Sequence, residues 1–258
     1  MPWNPQIYNQ FKDIRFKPFY DLAAFIQPAP GMKAVDLGCG TGEQTAILAE
    51  KFSDATFTGI DSSAEMLEAS AQLEHDRLQF RIATTEDVIK ADETWDLIFS
   101  NAALQWSEDH EALFPAIISK LRPGGQIAIQ MPYQPGNTLN NILLSLAEET
   151  PFKTALKHWN RPSSVLPLDA YAQLFFENDL EDLDLSQKVY PIIADSHDTL
   201  FNFISGSALI PYMERLDTTQ QEAFTTAFKE RIARHYPQLP AIYAFKRVLL
   251  YGRKKYKS

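Results

Sequence analysis

The segment Val35-Asp36-Leu37-Gly38-Cys39-Gly40-Thr41-Gly42 concentrates more potential chemistry than any other stretch of the chain. An apolar run leads into it and a helical pattern leaves it, so its three glycines occupy a strand-to-helix loop. Glycine there permits positive φ and lets a ligand touch the backbone. The N-terminus of the helix that follows offers free N–H groups to polar or anionic ligand atoms. Asp61 ends the next apolar run, where a carboxylate can accept both hydroxyls of a ribose. These residue types in this order fit a nucleotide-type ligand, a nicotinamide dinucleotide included.

The elements that must position them are legible around the loop. From Gly31 to Pro132 short apolar runs alternate with helical patterns, as in a parallel sheet with helices on its faces. The expected strands are Lys33–Leu37, Thr56–Asp61, Gln79–Ala83, Asp96–Ser100 and Gln126–Met131. Most are nearly continuous apolar runs, as strands covered on both faces must be. After Gly42, residues Thr45, Leu48, Ala49 and Phe52 recur at helical spacing. Ser62 and Glu65 form an expected capping box, heading a helix that buries Met66, Ser70 and Leu73. Arg122-Pro123-Gly124-Gly125 places Pro and Gly for a type II turn before the fifth strand. Further on, Leu183–Ile193 and Phe245–Tyr251 have strand character, and Thr199–Met213 and Thr218–His235 look helical. The expected fold is α/β, a Rossmann-like seven-stranded mixed sheet with a helical lid or insertion. Its expected divisions are an N-terminal helical cap (1–30), a ligand-binding core (31–133), the Pro-punctuated lid (134–182) and a closing segment (183–258).

Spacing separates the nucleotide classes. The dinucleotide fingerprint G-x-G-x-x-G needs glycine at 43, where the chain has Glu43; the glycines read G-x-G-x-G instead. A Tyr-x-x-x-Lys pair at Tyr8 and Lys12 precedes the loop, whereas short-chain dehydrogenases carry theirs well after it. In order, Asp36-x-Gly38-x-Gly40-x-Gly42, Asp61, Asp96-Leu97-Ile98-Phe99-Ser100-Asn101 and Leu121-Arg122-Pro123-Gly124-Gly125 resemble the successive motifs of class I S-adenosylmethionine-dependent methyltransferases. That resemblance implies S-adenosyl-L-methionine as cofactor, with the glycines and Cys39 at its methionine part and Asp61 on the ribose. It also implies a cofactor role for Asp36, Ser62 and Met66, places Thr84, Thr85 and Glu86 near the adenine, and puts Asn101 and Ala102 beneath the sulfonium. Thr84 stands where many relatives carry an aspartate that accepts the adenine amino group; a hydroxyl accepts without charge assistance and binds more weakly.

Outside the core, Trp3-Asn4-Pro5-x-x-Tyr8-x-x-Phe11-x-x-x-Arg15-x-x-Pro18, Asn101-Ala102-Ala103-Leu104-Gln105-Trp106, Asp109-His110 and Gln130-Met131-Pro132 resemble the trans-aconitate methyltransferases. So do Tyr236-Pro237 and Phe245-Lys246-Arg247. The resemblance implies methylation of a carboxylate of a small organic acid. Some members carry an arginine before the proline near Gly206–Pro211, where this chain has Ile210-Pro211. A carboxylate is already ionised at neutral pH, so no catalytic acid or base is expected. Arg15, Arg161 and Arg247 are candidate carboxylate clamps, since guanidinium binds them bidentately; for Arg247, capping a buried carboxylate is the alternative. Trp3, Tyr8 and Trp106 are candidates to line the sulfonium site by cation–π attraction, and Gln105 and Tyr133 complete the expected substrate set. His110, at a helix start beside Asp109, is expected on the surface or as a cap. Histidines 75, 158, 197 and 235 lack paired ligand spacing, so no metal is expected.

The totals narrow the partners. The formal charge of −9 argues against a nucleic-acid partner, which calls for a basic surface. The one basic cluster is the terminal Arg253-Lys254-Lys255-Tyr256-Lys257, read as a solvated tail. No apolar run reaches the length of a transmembrane helix, and the N-terminus lacks the pattern of a signal peptide. The single cysteine, Cys39, suits a reducing compartment. A cytoplasmic monomer acting on a small-molecule acid, without a membrane partner, is the expectation.

Overall fold

In the computed structural model, which describes residues 12 to 256 with side chains from residue 16, seven strands share one sheet. They are β1 Lys33–Leu37, β2 Thr56–Asp61, β3 Leu78–Ile82, β4 Trp95–Asn101, β5 Leu121–Pro132, β6 Leu180–Ala194 and β7 Ala241–Lys254. The order is β3-β2-β1-β4-β5-β7-β6. β1 to β5 pair in parallel, and β7 runs antiparallel to β5. β1 and β4 lie at the centre, where Ala34, Val35, Leu97, Ile98 and Phe99 are buried. The chain steps outward from β1 to β3, then returns to lay β4 on the other side of β1. Strand order therefore reverses between β1 and β4, where the loops leaving their carboxyl ends part and open a crevice.

The helices in chain order are α1 Lys12–Ala23, α2 Glu43–Lys51, α3 Ala64–Leu67, α4 Thr85–Lys90, α5 His110–Ser119, α6 Thr138–Ala147, α7 Phe152–Ala155, α8 Leu168–Glu177, α9 His197–Ser205, α10 Ile210–Met213 and α11 Thr218–His235. None of the described helices is long and apolar enough to cross a membrane. Contacts divide the chain into two compact units. The first contains 17–132, 164–188 and the segment from Arg247; the second contains Tyr133–Ser163 and Val189–Lys246. In the first, Phe19 of α1 meets Phe99 of β4 edge-on at 5.9 Å. The second has its own core, in which Phe224, Phe228 and Ile232 form the buried stripe of α11. A capping box between Asp217 and Gln220 starts that helix.

Several local expectations are corrected. The Arg122–Gly125 turn lies within β5: Trp95 pairs with Leu121 and Leu97 with Gln126, so these four residues loop out of the ladder. Helix α3 is capped by Ser63, whose hydroxyl accepts from Met66 N–H at 3.2 Å; Ser62 is not the cap. Leu67 is its buried residue, and Met66 is 37% exposed. The helix expected over 199–213 is two, α9 ending at Ser205 before Gly206 and α10 starting at Ile210. β6 and β7 extend beyond the expected runs; at the start of β7 alternating Ala241 and Tyr243 keep one face buried ahead of the apolar stretch.

Candidate functional site

The site is built on the first unit, at the carboxyl ends of β1, β2 and β4. Leaving β1, the chain takes left-handed conformations at Gly38, Gly40 and Gly42, with φ of 74°, 57° and 76°. The N–H groups of Gly38 and Cys39 both donate to the Ile60 carbonyl, at 2.9 and 2.8 Å, which folds the loop onto the end of β2. Space is as strict as conformation. A Cβ on Gly38 would stand 2.3 Å from Ala103 Cβ, and one on Gly42 2.6 Å from the Phe80 ring. Helix α2 then starts with no side-chain cap, leaving its first turn to other partners.

Asp61 closes β2 with both carboxylate oxygens aligned: Oδ2 accepts from Gly40 N–H and Oδ1 from Ser63 N–H, each at 2.9 Å. Each oxygen keeps acceptor capacity for a ligand hydroxyl. Asp36 plays a different part. It is buried and accepts the Thr45 hydroxyl proton at 2.6 Å, bracing β1 against α2. Burial pushes its carboxyl up to about 7; the Thr45 hydrogen bond opposes this and the nearby Asp61 charge adds to it. The half-buried Cys39 thiol is pushed up by burial and by the charges of Asp36 and Asp61, which makes it a poor nucleophile.

The β4 end supplies the facing wall. Ser100 donates to the Leu37 carbonyl at 2.8 Å, and Asn101 Nδ2 donates to Gln44 Oε1 at 2.8 Å, tying β4 to β1 and α2. Ala102 turns with φ of 57°, its N–H on the Gln130 carbonyl at 2.9 Å. Gln105 folds back to donate to the Ala102 carbonyl at 2.7 Å within the 3-10 turn Leu104–Trp106. A cleft of about 520 Å³ lies against these ends. Gly38, Asp61, Ser62, Thr84, Thr85, Glu86 and Trp106 line it, together with Ile60, Ala83, Ala103, Leu104, Ser107 and Glu108. Its size suits a nucleoside-sized ligand.

Six of the thirteen expected cofactor residues, Gly38, Asp61, Ser62, Thr84, Thr85 and Glu86, line this cleft. Thr84 lies in it, but its hydroxyl is committed locally, accepting from Asp87 N–H at 3.1 Å and donating to Asp87 Oδ2 at 2.8 Å as the cap of α4. Of the expected substrate residues, Trp106 is on the cleft and 37% exposed, and Gln105 is buried behind it. Arg247 is buried, with Nη1 donating to Gln130 Oε1 at 2.6 Å. Tyr133 and Arg161 belong to the second unit. There Tyr133 N–H donates to the Lys246 carbonyl, and Arg161 N–H to Asn160 Oδ1 and the Tyr212 hydroxyl. Trp3 and Tyr8 lie outside the described residues; Arg15 is in α1, its side chain outside them. The second unit carries its own cleft, of about 580 Å³, between α6 and the last turns of α11, and none of the expected residues lines it. Among the described residues no cluster of three His, Cys, Asp or Glu is arranged for a metal ion.

Ala103 and Leu104 line the cleft as well, within the Asn101–Trp106 segment but outside the expected set; the signal for Ala103 is a small residue between Ala102 and Gln105, both expected at the site. His110 lies in the interior and not at the surface. That side chain is 1% exposed, because its two ring nitrogens find partners in the interior, at Leu104 and at Tyr171.

A methyltransferase-domain family profile matches residues 28 to 196. A protein of Deinococcus radiodurans named trans-aconitate 2-methyltransferase is 39% identical over 96% of this chain and 97% of its own. Proteins of the same name from Variovorax paradoxus and Pseudomonas aeruginosa are 30% and 32% identical, covering 99% and 96% of this chain and 99% and 92% of their own. Among solved structures, the YcgJ protein from Bacillus subtilis superposes with a TM-score of 0.60 at 16% identity, over 93% of this chain and 99% of that one. A Haemonchus contortus phosphoethanolamine N-methyltransferase in complex with S-adenosyl-L-methionine superposes at 0.55, with 16% identity, over 93% of this chain and 52% of that one. At such identity these structures speak for the fold, whereas the full-length sequence matches speak for descent, and the chain belongs to the same methyltransferase family as the proteins named trans-aconitate 2-methyltransferase.

Proposed function

We propose that the chain transfers the methyl group of S-adenosylmethionine to a carboxylate oxygen of a small organic acid of the trans-aconitate type. The observation that carries the reading is Asp61, a carboxylate held by two backbone N–H groups at the rim of a nucleoside-sized cleft walled by the glycine loop. The cleft fits the cofactor on its own chemistry. Gly38 lines it with backbone alone, Asp61 offers acceptors for a diol, and Trp106 on its lining suits a cation. When bound, the cofactor supplies an electrophilic methyl on a sulfonium. The names of the full-length relatives support the acid as acceptor.

The chain's own task is placement. An acid with an ionised carboxylate requires no proton removal, so catalysis reduces to orienting one oxygen in line with the methyl and excluding water. Within the first unit, Arg247 is the proposed carboxylate partner, with Gln105 and Trp106 shaping the acceptor side of the site. We take the protein to act as a monomer in the cytoplasm. The test is an assay with methyl-labelled cofactor against trans-aconitate, cis-aconitate, isocitrate, citrate, monocarboxylic acids, amines and phenols. Base-labile label on an acid is the expected product; stable label on an amine or phenol would overturn the proposal.

A further inference from the structure

We propose that His110 and Tyr171 are positioning residues for the cleft wall, with His110 neutral and its proton fixed on Nε2 so that it holds the Leu104–Trp106 turn in place. The bonding determines each hydrogen. His110 Nε2 lies 2.9 Å from the Leu104 carbonyl, which only accepts, so Nε2 carries the proton. Leu166 N–H only donates, and it donates to the Tyr171 hydroxyl at 3.2 Å. The remaining Tyr171 proton then points to His110 Nδ1, 2.6 Å away. A directed relay results, from Leu166 N–H through the Tyr171 hydroxyl and the His110 ring to the Leu104 carbonyl, with every member satisfied.

The surroundings reinforce that state. Both side chains are buried, and Phe114 lies against both rings, with centroids at 5.3 Å from His110 and 4.8 Å from Tyr171. Burial holds the imidazole below its usual range and the phenol above its own. The turn so held contributes Leu104 and Trp106 to the cleft and begins beside Ala103, the residue that touches down on Gly38. The same bonds leave His110 no lone pair to receive a proton from an acceptor, so it is not a general base. Its effect reaches the ligand through the turn.

The inference rests on the reading that this cleft takes the cofactor, and the experiment separates the two. S-adenosylhomocysteine affinity is measured for the wild type, Asp61→Ala, His110→Leu, His110→Gln and Tyr171→Phe, alongside the ¹⁵N spectrum of the His110 ring. Glutamine offers one donor and one acceptor, so His110→Gln can rebuild the relay that leucine cannot. The wild-type ring is expected as the neutral Nε2–H form at pH 8, and Tyr171→Phe is expected to keep that tautomer, held by Leu104, while its Nδ1 resonance shifts as the hydrogen bond there is lost. His110→Leu is expected to weaken binding about tenfold, with His110→Gln recovering to within about threefold. A ring protonated on Nδ1, leucine binding as tightly as histidine, or glutamine no better than leucine would overturn the positioning role. If leucine fails to fold, the wild-type and Tyr171→Phe spectra and the His110→Gln affinity, expected within about threefold of wild type, still decide. Unchanged binding in Asp61→Ala would instead remove the cofactor reading of the cleft, and with it the proposed link to the ligand.

Discussion

Gly38→Ala is expected to damage the protein through two separable effects, and a second substitution should reverse only one of them. At φ of 74° an alanine adopts a left-handed conformation, which costs about 1 kcal/mol. Its Cβ would also stand 2.3 Å from that of Ala103, an overlap that only a shift of the 102–106 turn relieves, at about 1–3 kcal/mol. The single variant should lose about 2–4 kcal/mol in all. Ala103→Gly alone should cost about 0.5–1 kcal/mol, through chain entropy. The double variant keeps the φ penalty and loses the clash, so it should lie only about 1.5–2 kcal/mol below wild type, less than the sum of the singles. Urea unfolding of the four proteins measures this coupling. S-adenosylhomocysteine binding should follow the same pattern, since the displaced turn lines the cleft. Additive losses within about 0.5 kcal/mol would refute the claim that the glycine exists to admit Ala103.

Two other outcomes follow from the geometry. The folded carboxyl of Asp36 sits at about 7, above its ordinary 3.8, so the folded state binds this proton more tightly than the unfolded chain does. Stability should therefore fall as pH rises from about 4 to about 7, by up to about 4 kcal/mol, and level off above that. Asp36→Asn, whose amide oxygen can still accept from Thr45, should lose this component of the slope; an unaltered slope by urea titration would count against the buried charge. Thr84→Ala should remove the α4 cap and cost about 1 kcal/mol in thermal or urea unfolding, with cofactor affinity nearly unchanged, because the hydroxyl serves Asp87. A large affinity loss at unchanged stability would return that hydroxyl to the adenine.

How much of this was legible in the sequence depended on how local the cause was. β1 and β2 match their expected limits, Lys33–Leu37 and Thr56–Asp61, since each opens on a less buried residue, Lys33 or Thr56, followed by buried ones. The glycine loop was equally readable, since positive φ and close approach leave few residue types to choose from. Arg122–Gly125 misled because its turn chemistry is real but sits inside a strand, where only the pairing with β4 reveals that the ladder resumes. Ser62 and Ser63 are equivalent as caps on paper; the Asp61 carboxylate, taking Ser63 N–H, sets the phase. His110 was hidden altogether. Its polar neighbours in sequence indicate a surface cap, while the partner that buries it, Tyr171, is 61 residues away.

The most direct measurement is a binding cycle between Asp61 and the ribose it is assigned to hold. Wild type and Asp61→Ala are titrated calorimetrically with S-adenosylhomocysteine and with its 2′-deoxy analogue, which removes one hydroxyl and nothing else. A hydrogen bond to a charged group contributes about 1.5–3 kcal/mol, so the wild type should prefer the hydroxylated ligand by about tenfold to a hundredfold. Asp61→Ala should bind both ligands weakly and nearly equally. If the variant still discriminates as the wild type does, the ribose is not on Asp61 and this cleft is not the cofactor site.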